Sequence, residues 1–523
     1  MEKKDLNIFE KMRGIYTPVT EIRRKVLAAV ARMVVEDQPP RYIEYIPYQI
    51  IDKNIPTYRE SVFKERAIVR ERIRLAFGME LKEFGAHGPI HDDDVINTIT
   101  DLKVLKRPIV NVIKAGCERC PEDSYIVTNL CQGCIAHPCT SVCPKNAVSI
   151  QKGKSLIDQL KCIRCGRCAQ VCPYNAIAYR ERPCATACGV KAISSDEYGF
   201  ADINYNLCVS CGMCIVSCPF GAIGEKSEIV QIISAIKNGK RVYAEIAPAF
   251  VNQFGPLASS AKIRSALKEI GFLDIKEVAL GADKVILKEA KELVAILEND
   301  NKKNISKDEK QFIGTSCCTS WKMCADRHFP ELAKNNISES FAPMVETARV
   351  IKEKDPDAIV VFIGPCIAKK EECFIPEVTA LVDFVMTFEE LVAVFQAFEI
   401  DPIEFEEEEP MQDASCIGRN FPVAGGVAQA IIKQTRALLP ENKKDREIPH
   451  INADTLAKCL TMLKKLKSGK FNPKPLVVEG MACPFGCIGG PGSISSLNRA
   501  KNAVKKFAEK AKNALPSDYL KKK

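Results

Sequence analysis

The spacing of the cysteines constrains this chain more than any other feature of the sequence. The run C-x2-C-x2-C-x3-C-P occurs at 162–173 and at 208–219, and a variant with a longer second gap occurs at 131–144. Residues 111–222 hold sixteen of the 25 cysteines, whereas the whole chain has only five histidines. Thiolate is therefore the dominant candidate metal ligand, and soft sulfur ligands select zinc, copper(I) or iron–sulfur clusters.

The fourth cysteine and the proline after it decide between these metals. Zinc would need only C-x2-C pairs, whereas in the bacterial ferredoxin pattern three cysteines bind one 4Fe–4S cluster and the fourth binds its neighbour. Exchanging the fourth cysteines predicts two clusters. One takes Cys131, Cys134, Cys139 and Cys172, and the other takes Cys162, Cys165, Cys168 and Cys143.

The other eight cysteines of this region are less regular. Cys188, in the degenerate unit CATACGVKAI, is the natural fourth partner for the third run, which gives a cluster on Cys188, Cys208, Cys211 and Cys214. The remaining four could hold a fourth cluster, on Cys117, Cys120, Cys184 and Cys218. Cys117 and Cys120 could instead be buried thiols that pack as small hydrophobes. We therefore predict three to four clusters, which would form a wire for single electrons.

The sequence divides into regions of different character. Residues 1–110 contain no cysteine, and segments 19–35 and 61–79 carry apolar residues at three- and four-residue spacing, which predicts a helical N-terminal module. Residues 111–225 contain four variants of one unit (VCPKNAVSI, VCPYNAIAY, ACGVKAISS and SCPFGAIGE), which indicates a ferredoxin-like multi-cluster domain. Residues 226–510 alternate β-rich runs with helical patterns, which predicts an α/β domain with a largely parallel sheet, followed by a basic tail at 511–523. The fold class is thus multidomain α+β.

Charge and hydropathy narrow the location and the partners. No run of about 18 apolar residues occurs, so we expect no membrane span, and the charged start without an apolar signal core predicts the cytoplasm. The formal net charge of +9 favours solubility, or attraction of an acidic electron carrier such as a ferredoxin. Binding to nucleic acid is disfavoured because no recognition motif accompanies the charge. The acidic run 404–410 is typical of a solvated loop.

Three short stretches in the C-terminal half resemble a known family. TSCCTSW (315–321), GPCIAKKEE (364–372) and EGMACPFGCIGGPG (479–492) each place cysteine beside glycine, proline or a second cysteine, where a backbone can approach a cofactor closely. They resemble, in order, the three signature sequences of iron-only (FeFe) hydrogenases, and the likeness extends over roughly 240–495. The resemblance implies an H-cluster, which is a 4Fe–4S cubane joined to a two-iron unit with carbon monoxide, cyanide and an azadithiolate bridge.

The same resemblance implies roles for individual residues. Cys318, Cys366, Cys483 and Cys487 would hold the cubane, with Cys487 bridging to the two-iron unit. Cys317 would shuttle protons, Lys369 would hydrogen-bond a cyanide and Met481 would pack against the two-iron unit, although Met481 could equally be an ordinary core residue. The implied proton path continues through Glu289, Glu292 and Ser338. The two glutamates share one helix face, which could instead be simply solvated.

This chain departs from the best-known members of the family at several positions. Thr319 replaces a proline, Gly364 a methionine and Phe485 a glycine, while Pro491 interrupts a glycine run and Ile296 stands where an arginine commonly closes the proton path. These changes resemble a divergent, group B-like branch of monomeric hydrogenases. Outside any cluster spacing are four cysteines that we expect to be buried structural thiols: Cys324, Cys373, Cys416 and Cys459.

The predicted function is reversible proton reduction to H2 by a cytoplasmic, monomeric hydrogenase that exchanges electrons with ferredoxin. The resemblance implies that maturation proteins load the two-iron unit. One alternative is a hydrogen sensor with the same cofactor at low turnover. Another is a non-catalytic iron–sulfur protein related to hydrogenases, which the presence of Cys487 and Lys369 disfavours.

Overall fold

The structure is a computed structural model that describes residues 14–83, 85, 88–91, 93–299, 310–407 and 409–520. It combines helices with several small sheets, in agreement with the predicted multidomain α+β class. Within the described residues, no helix is both long enough and apolar enough to cross a membrane. The N-terminal thirteen residues and the last three residues of the predicted tail lie outside the described residues.

The N-terminal half contains nine helices and eight short strands among its described residues. The helices are α1 (Pro18–Val35), α2 (Ile46–Ile50), α3 (Val62–Ala76), α4 (Asp93–Thr98), α5 (Pro138–Ser141), α6 (Arg167–Gln170), α7 (Pro183–Thr186), α8 (Met213–Ser217) and α9 (Ile229–Lys237). The strands are β1 (Val110–Val112), β2 (Ser124–Val127), β3 (Val148–Gln151), β4 (Lys154–Ile157), β5 (Ile177–Arg180), β6 (Ile193–Ser195), β7 (Ala201–Ile203) and β8 (Ile223–Glu225).

The C-terminal half has longer helices and two parallel sheets. Its helices are α10 (Ser260–Ile270), α11 (Val278–Asn299), α12 (Thr319–His328), α13 (Pro330–Asn336), α14 (Pro343–Lys354), α15 (Ala368–Glu372), α16 (Pro376–Thr379), α17 (Phe388–Ala397), α18 (Cys416–Arg419), α19 (Gly426–Leu438), α20 (Leu456–Lys467) and α21 (Leu497–Glu509). Its strands are β9 (Val242–Ile246), β10 (Asp274–Glu277), β11 (Ile313–Gly314), β12 (Ile359–Gly364), β13 (Phe384–Thr387), β14 (His450–Asp454) and β15 (Val477–Met481).

The N-terminal helices form where the sequence pattern predicts them. The hydroxyl of Thr17 accepts a hydrogen bond from the Thr20 amide at 3.3 Å, and Pro18 occupies the first turn, so α1 has two strong start signals. The apolar face of α1, including Val26, Val30 and Met33, packs against α17 of the C-terminal half. One continuous core holds this face together with β9 and β12.

The four sequence repeats fold into one recurring turn. A residue with left-handed backbone follows each fourth cysteine by three positions, with φ of 49° to 58° at Asn146, Asn175, Lys191 and Gly221. The amide of the next residue, alanine in every repeat, then donates to the cysteine Sγ at 3.2 to 3.4 Å. The acceptors of these four hydrogen bonds are Cys143, Cys172, Cys188 and Cys218. Cys188, in the degenerate repeat, is therefore the structural equivalent of the other three fourth cysteines.

The two sheets of the C-terminal half are parallel throughout, as the alternating pattern predicts. One has the strand order β10–β9–β12–β13 and the other the order β11–β15–β14. The cysteine motifs follow β11, β12 and β15 directly, so they extend from the carboxyl ends of parallel strands. In open α/β folds, ligands bind in the crevice outside these strand ends. The described residues of the acidic run 404–410 have no helix or strand. Residue 408 of this run lies outside the described residues.

Candidate functional site

The three C-terminal motifs converge on one internal cavity. Cys318 follows β11, Cys366 follows β12, and Cys483 and Cys487 follow β15, and all four line the same space. Cys317, Lys369 and Met481 line it as well. The structure thus brings together seven of the site residues predicted from the sequence, from segments more than 160 positions apart.

The thiols of this cavity are withdrawn from water and close to one another. Burial raises the pKa of Cys366 to about 11, and the pKa of Cys483 well above its ordinary value, with neighbouring cysteines adding to both effects. Burial and the thiolates of Cys318 and Cys366 likewise raise the pKa of Cys487. Free thiolates would therefore be costly here, whereas a metal stabilises thiolate ligands by replacing their protons. Four convergent sulfur ligands in an apolar, enclosed space fit a cubane cluster.

The backbone just before Cys487 leaves no room for a side chain at position 486, which is glycine. Gly486 has a φ of 90°, and a Cβ there would lie 2.6 Å from the carbonyl oxygen of Pro422. Its neighbour Phe485 also has left-handed backbone, at φ 61°, where the better-known relatives have glycine. The Phe485 amide is held by the Asp454 carboxylate at 2.9 Å, and the ring packs on the main core. The bulky ring is thus turned into the core, and Phe485 is absent from the cavity wall.

Lys369 is a buried ammonium with two of its three donors engaged by protein. It donates to the Glu372 carboxylate at 2.5 Å and to the Cys317 carbonyl at 3.2 Å. Burial opposes its charge, but Glu372 and Cys366 outweigh that effect and raise the pKa of Lys369. Since an ammonium has three N–H donors, one remains for a group inside the cavity.

Thr319 extends this network from the position where the better-known relatives carry proline. Its hydroxyl donates to the same Glu372 oxygen that receives Lys369. Nearby, Glu245 is wholly buried and neither of its carboxylate oxygens has a hydrogen-bond partner. Burial raises the pKa of Glu245 well above its ordinary value, so burial favours its protonated form.

Glu289 lies beside Cys317, and it is a buried acid whose pKa is close to neutral pH. Its Oε1 accepts from the amide of Ser316 at 3.1 Å and from the Ser316 hydroxyl at 2.9 Å, while its Oε2 has no partner. Burial raises the pKa of Glu289 to about 7, partly offset by the two Ser316 hydrogen bonds. Burial also raises the pKa of Cys317, and the proximity of Glu289 adds to this shift. Glu289 is therefore not part of a solvated helix face.

A hydrogen-bonded chain continues outward from the next turn of α11. The Ser338 hydroxyl donates to Glu292 at 2.7 Å and also contacts the Ser340 hydroxyl at 3.1 Å. Lys310 forms an ion pair with the other Glu292 oxygen. Ile296, one turn further along, is 9% exposed and packs in an apolar core, so the chain of polar groups leaves the helix at Glu292.

Sequence reasoning missed four polar residues near the cavity. Ser316, Ser340 and Lys310 carry no pattern of their own and became visible only through their contacts with the two glutamates. Glu479 could have been noticed as an acid inside an otherwise apolar strand. Its carboxylate receives the amides of Gly425 and Ala428 at 2.7 Å each, at the start of α19, and burial raises its pKa to about 7.

Several cysteines of residues 111–222 lie close to one another in the structure. Burial raises the pKa of Cys211 to about 12, and the neighbouring thiolates of Cys188 and Cys208 add to this shift. These three residues, together with Cys214, form one group. A second small cavity is lined by the other four cysteines of the less regular set: Cys117, Cys120, Cys184 and Cys218. Cys117 and Cys120 therefore face other cysteines, which argues against their being isolated structural thiols.

The two regular runs form a separate, more exposed part of the molecule. Burial, followed by the thiolates of Cys162 and Cys143, raises the pKa of Cys168, so the exchanged fourth cysteine lies with its predicted group. Cys165 is exposed. Cys139 and Cys172 belong to the same small apolar cluster, and the amides of Ser155 and Gly133 lower the pKa of Cys131. Cys134, between Gly133 and the exposed Ile135, completes this loop.

Successive cysteine groups lie close enough to influence one another electrostatically. Cys184 is among the thiolates that raise the pKa of Cys214, and Cys211 is among those that raise the pKa of Cys483. Cys211 lines the main cavity itself. Within the described residues no three His, Cys, Asp or Glu side chains are arranged around a single metal ion.

Three segments of the chain match models of known protein families. Residues 240–491 match the model of "Iron only hydrogenase large subunit, C-terminal domain". Residues 240–491 belong to the iron-only hydrogenase family. Residues 156–178 match a 4Fe-4S binding domain, and residues 178–229 match the LdpA Fe-S cluster-binding domain. The hydrogenase domain is thus preceded by iron–sulfur domains, as the cysteine runs predict.

Curated relatives support the same assignment. The chain is 30% identical to "Iron hydrogenase 1" of Clostridium pasteurianum over 390 residues, which are 65% of each chain. It is 29% identical to the "Periplasmic [Fe] hydrogenase large subunit" of Nitratidesulfovibrio vulgaris, over 66% of this chain and 88% of that one. A solved [FeFe]-hydrogenase, studied for oxygen inactivation of its H cluster, is 21% identical and has a TM-score of 0.47, over 56% of this chain and 92% of that one. The match covers slightly less than two thirds of the clostridial relative.

The predicted structural thiols outside the cluster spacings divide into two kinds. Cys324, Cys373 and Cys459 are buried, whereas Cys416 is half-buried at the start of α18. None of the 25 cysteines of the chain forms a disulfide.

Proposed function

We propose that this chain is a hydrogenase that interconverts protons and H2 and exchanges electrons with an acidic carrier through a series of 4Fe–4S clusters. The observation that carries the proposal is the single cavity lined by Cys317, Cys318, Cys366, Cys483 and Cys487 together with a buried ammonium. A structural iron–sulfur site would need the four ligands alone, whereas this cavity also holds the Cys317 thiol and a charged donor, beside Cys211 of the adjoining cysteine group.

Four thiols would hold the cubane of the H-cluster: Cys318, Cys366, Cys483 and Cys487. Cys487 would also reach the two-iron unit, on which the bound cofactor supplies the chemistry that combines protons with electrons. Lys369 would direct its remaining N–H at an anionic cyanide, which an enclosed low-dielectric site makes a strong interaction. Met481, 1% exposed at the end of β15, would supply an apolar wall.

Cys317 would move protons between the cofactor and the buried acid beside it. Burial raises the pKa of the Cys317 thiol, and it raises the pKa of the nearby Glu289 to about 7, so Glu289 can take up and release a proton near neutral pH. Glu292, Ser338 and Ser340 then form a hydrogen-bonded exit toward the surface. Side-chain rotation or a water molecule would join Glu289, whose Oε2 has no partner, to this exit.

Electrons would arrive through four 4Fe–4S clusters on the sixteen cysteines of residues 111–222. The chain of neighbouring cysteines from Cys184 through Cys214 and Cys211 to Cys483 supports this order for the two inner clusters and the cubane. The outer two clusters would occupy the lobe of residues 128–180, where Cys165 is exposed.

The outer lobe also supports an acidic partner. Residues 128–180 carry seven basic side chains and one acid, and this net +6 is most of the formal charge of the chain, +9. All seven basic side chains are exposed: Lys145, Lys152, Lys154, Lys161, Arg164, Arg167 and Arg180. Between them, Ile135 and Leu160 are 98% and 99% exposed. A basic, partly apolar surface around an exposed cluster ligand suits transient docking of a ferredoxin or a similar carrier.

Several finer predictions accompany the proposal. The departures at Thr319, Gly364 and Phe485 resemble a divergent, group B-like branch, and we expect the chain to act as a cytoplasmic monomer after maturation proteins have loaded the two-iron unit. The predicted boundaries at 110, 225 and 510 likewise stay predictions, and the N-terminal helices share one core with the hydrogenase domain.

Infrared spectroscopy of anaerobically matured protein, followed by hydrogen evolution with reduced ferredoxin, tests the proposal. Carbon monoxide and cyanide bands together with turnover are the expected result. Bands with negligible turnover would point to a hydrogen sensor. Full cubane content without bands would point to a non-catalytic iron–sulfur protein. Protein without the two-iron unit should contain about 20 iron atoms per chain, from five cubanes, and a value near 12 would refute four N-terminal clusters.

A further inference from the structure

A large cavity lies where the N-terminal helices, the cluster domain and the hydrogenase domain meet. It has a volume of about 730 Å³ and is bounded by the start of α1, by α3, by the residues after α8 and by residues 491–494. Four arginines line it: Arg23, Arg24, Arg59 and Arg72. Glu389 is the one carboxylate that the described residues contribute to its wall.

Two of these arginines lack a close carboxylate. Arg23 contacts Glu389 at 2.5 Å, and Arg59 contacts Glu118 at 3.1 Å. By contrast, the nearest carboxylate oxygen to Arg24 is 3.9 Å away, and Arg72 has none within 4.0 Å among the described residues. Burial, followed by repulsion from Arg23, lowers the pKa of Arg72 to about 10. Arg23 also lies 3.5 Å from Glu225, whose charge acts on Arg72 as well, so the protein neutralises only part of the positive charge of this wall.

Donor atoms in the same wall also lack acceptors. The Nε atoms of Arg24 and Arg59 and the hydroxyl of Tyr58 are buried without a hydrogen-bond partner. Leaving buried polar groups unpaired is unfavourable, and more so for charged groups. Each of these three atoms has almost no accessible surface, so a ligand in the cavity would reach them only after the side chains move.

We propose that this cavity binds a small phosphoryl-bearing molecule with a planar ring, of the nucleotide class. Guanidinium groups match the paired oxygens of phosphate, and aromatic faces flank them. Arg24 lies 5.2 Å from the ring centre of Tyr16, and Arg59 lies 5.3 Å from that of Phe220. The volume falls in the range of about 300–1,000 Å³ that small-molecule pockets occupy.

The site adjoins the proposed electron path, so a bound ligand would change the reduction potential of a neighbouring cluster. Cys218 lines the arginine cavity as well as the small cavity of the predicted fourth cluster. An anion bound there makes the addition of an electron to that cluster less favourable and so lowers its reduction potential. The ligand would thereby regulate electron flow to the hydrogenase domain, and this consequence rests on the proposed function, whereas binding itself does not.

Anaerobic calorimetry on the full chain with its 4Fe–4S clusters, without the two-iron unit, tests binding directly. The probes are inorganic pyrophosphate, ATP and flavin mononucleotide. We expect at least one nucleotide to bind more tightly than pyrophosphate, and Arg24→Gln to weaken binding about tenfold or more. Arg32→Gln is the matched control, since Arg32 lies on the same helix with its side chain 48% exposed and outside the cavity wall.

A second variant and a second readout keep the test independent of folding defects. Tyr16→Ala removes a 58% exposed ring, so it should weaken nucleotide binding while pyrophosphate binding stays unchanged. In EPR-monitored redox titrations, the tight-binding nucleotide should lower one cluster potential in the wild type and leave it unchanged in Arg24→Gln. Absence of binding by all three probes, or equal weakening by Arg24→Gln and Arg32→Gln, would overturn the site. Pyrophosphate binding as tightly as the nucleotides would overturn the ring-bearing class.

Discussion

Replacing Glu289 by glutamine tests two consequences of burying an acid beside Cys317. One is a pH-dependent loss of stability, and the other is a place in the proton path. The carboxylate has an ordinary pKa of 4.5, which burial raises to about 7 in the folded protein. Each tenfold change in proton affinity corresponds to about 1.4 kcal/mol, so ionising Glu289 in the fold costs about 3 kcal/mol more than ionising it in the unfolded chain.

The sign of the stability effect follows from the direction of the pKa shift. Below pH 4.5 the acid is protonated in both states and costs nothing. As the pH rises from 4.5 to 7, the unfolded chain releases the proton before the folded chain does, so stability falls, and above 7 the full cost is present. Glutamine avoids this cost, and its carbonyl can still accept both hydrogen bonds from Ser316. The variant should therefore gain about 3 kcal/mol on the wild type between pH 4.5 and pH 8.

Paired thermal denaturation measures this gain on anaerobic protein that carries its 4Fe–4S clusters but lacks the two-iron unit. The difference in melting temperature between Glu289→Gln and wild type should be larger at pH 8 than at pH 4.5, by about 5 °C for a domain of this size. Because both proteins share every other titrating group, the subtraction isolates Glu289. In the matured enzyme, turnover should drop about 100-fold with unchanged infrared bands.

Glu292→Gln is the matched control for this experiment. Glu292 is half-buried and paired with Lys310, so its replacement should slow turnover without the pH-dependent gain in stability. An equal difference in melting temperature at both pH values would refute the assignment of a buried, near-neutral acid at position 289. Full turnover in Glu289→Gln would refute its place in the proton path.

Three further predictions test other parts of the molecule. Thr319→Val removes the hydroxyl that donates to Glu372, the carboxylate partner of the Lys369 ammonium, so the cyanide infrared bands should shift and turnover should fall several-fold. Thr319→Ser should keep both at the wild-type values. Unchanged bands in Thr319→Val would contradict the network. The double charge reversal Lys161→Glu and Arg164→Glu should slow ferredoxin-driven turnover at low salt and leave dye-driven turnover unchanged, whereas equal loss with both donors would argue against docking at the outer lobe. Cys188→Ser should lower the iron content by about four atoms per chain, while Cys324→Ser, at a buried position outside any cluster group, should not; equal iron content in the two variants would remove Cys188 from the ligand set.

The local sequence predicted most elements because helices and strands there follow simple periodicity. The helix over 19–35 and the parallel strands before each cysteine motif are found where apolar spacing and start signals place them. The sequence also predicted that Cys188 is equivalent to the other fourth cysteines, and the turn around it confirms this equivalence of position, while its role as a ligand stays a prediction. The turn at Lys191 shows the reason, since the backbone repeats even where the residue type does not.

Long-range relations were beyond the reach of the sequence pattern. The position of Glu289 on a helix was predictable, but its complete burial depends on which face of α11 meets α14 and α19. The same applies to Thr319, whose hydrogen bond to Glu372 joins two segments 53 positions apart. The helical pattern of residues 19–35 gave no sign that this segment shares a core with the hydrogenase domain, because periodicity states which face is buried and not against what.

The recurring turn of the cluster domain bears on the direction in which current can run. Each of the four fourth cysteines receives one backbone N–H from the alanine four positions later, at nearly the same length. Hydrogen bonds to cluster sulfurs are one determinant of reduction potential, beside net charge and solvent exposure, so this shared donor makes the same contribution at each of the four positions. The repeated turn therefore gives no preference for one direction of electron flow. A preference for making or for consuming hydrogen would have to come from other features, such as the carrier at the basic lobe and the acids around Cys317.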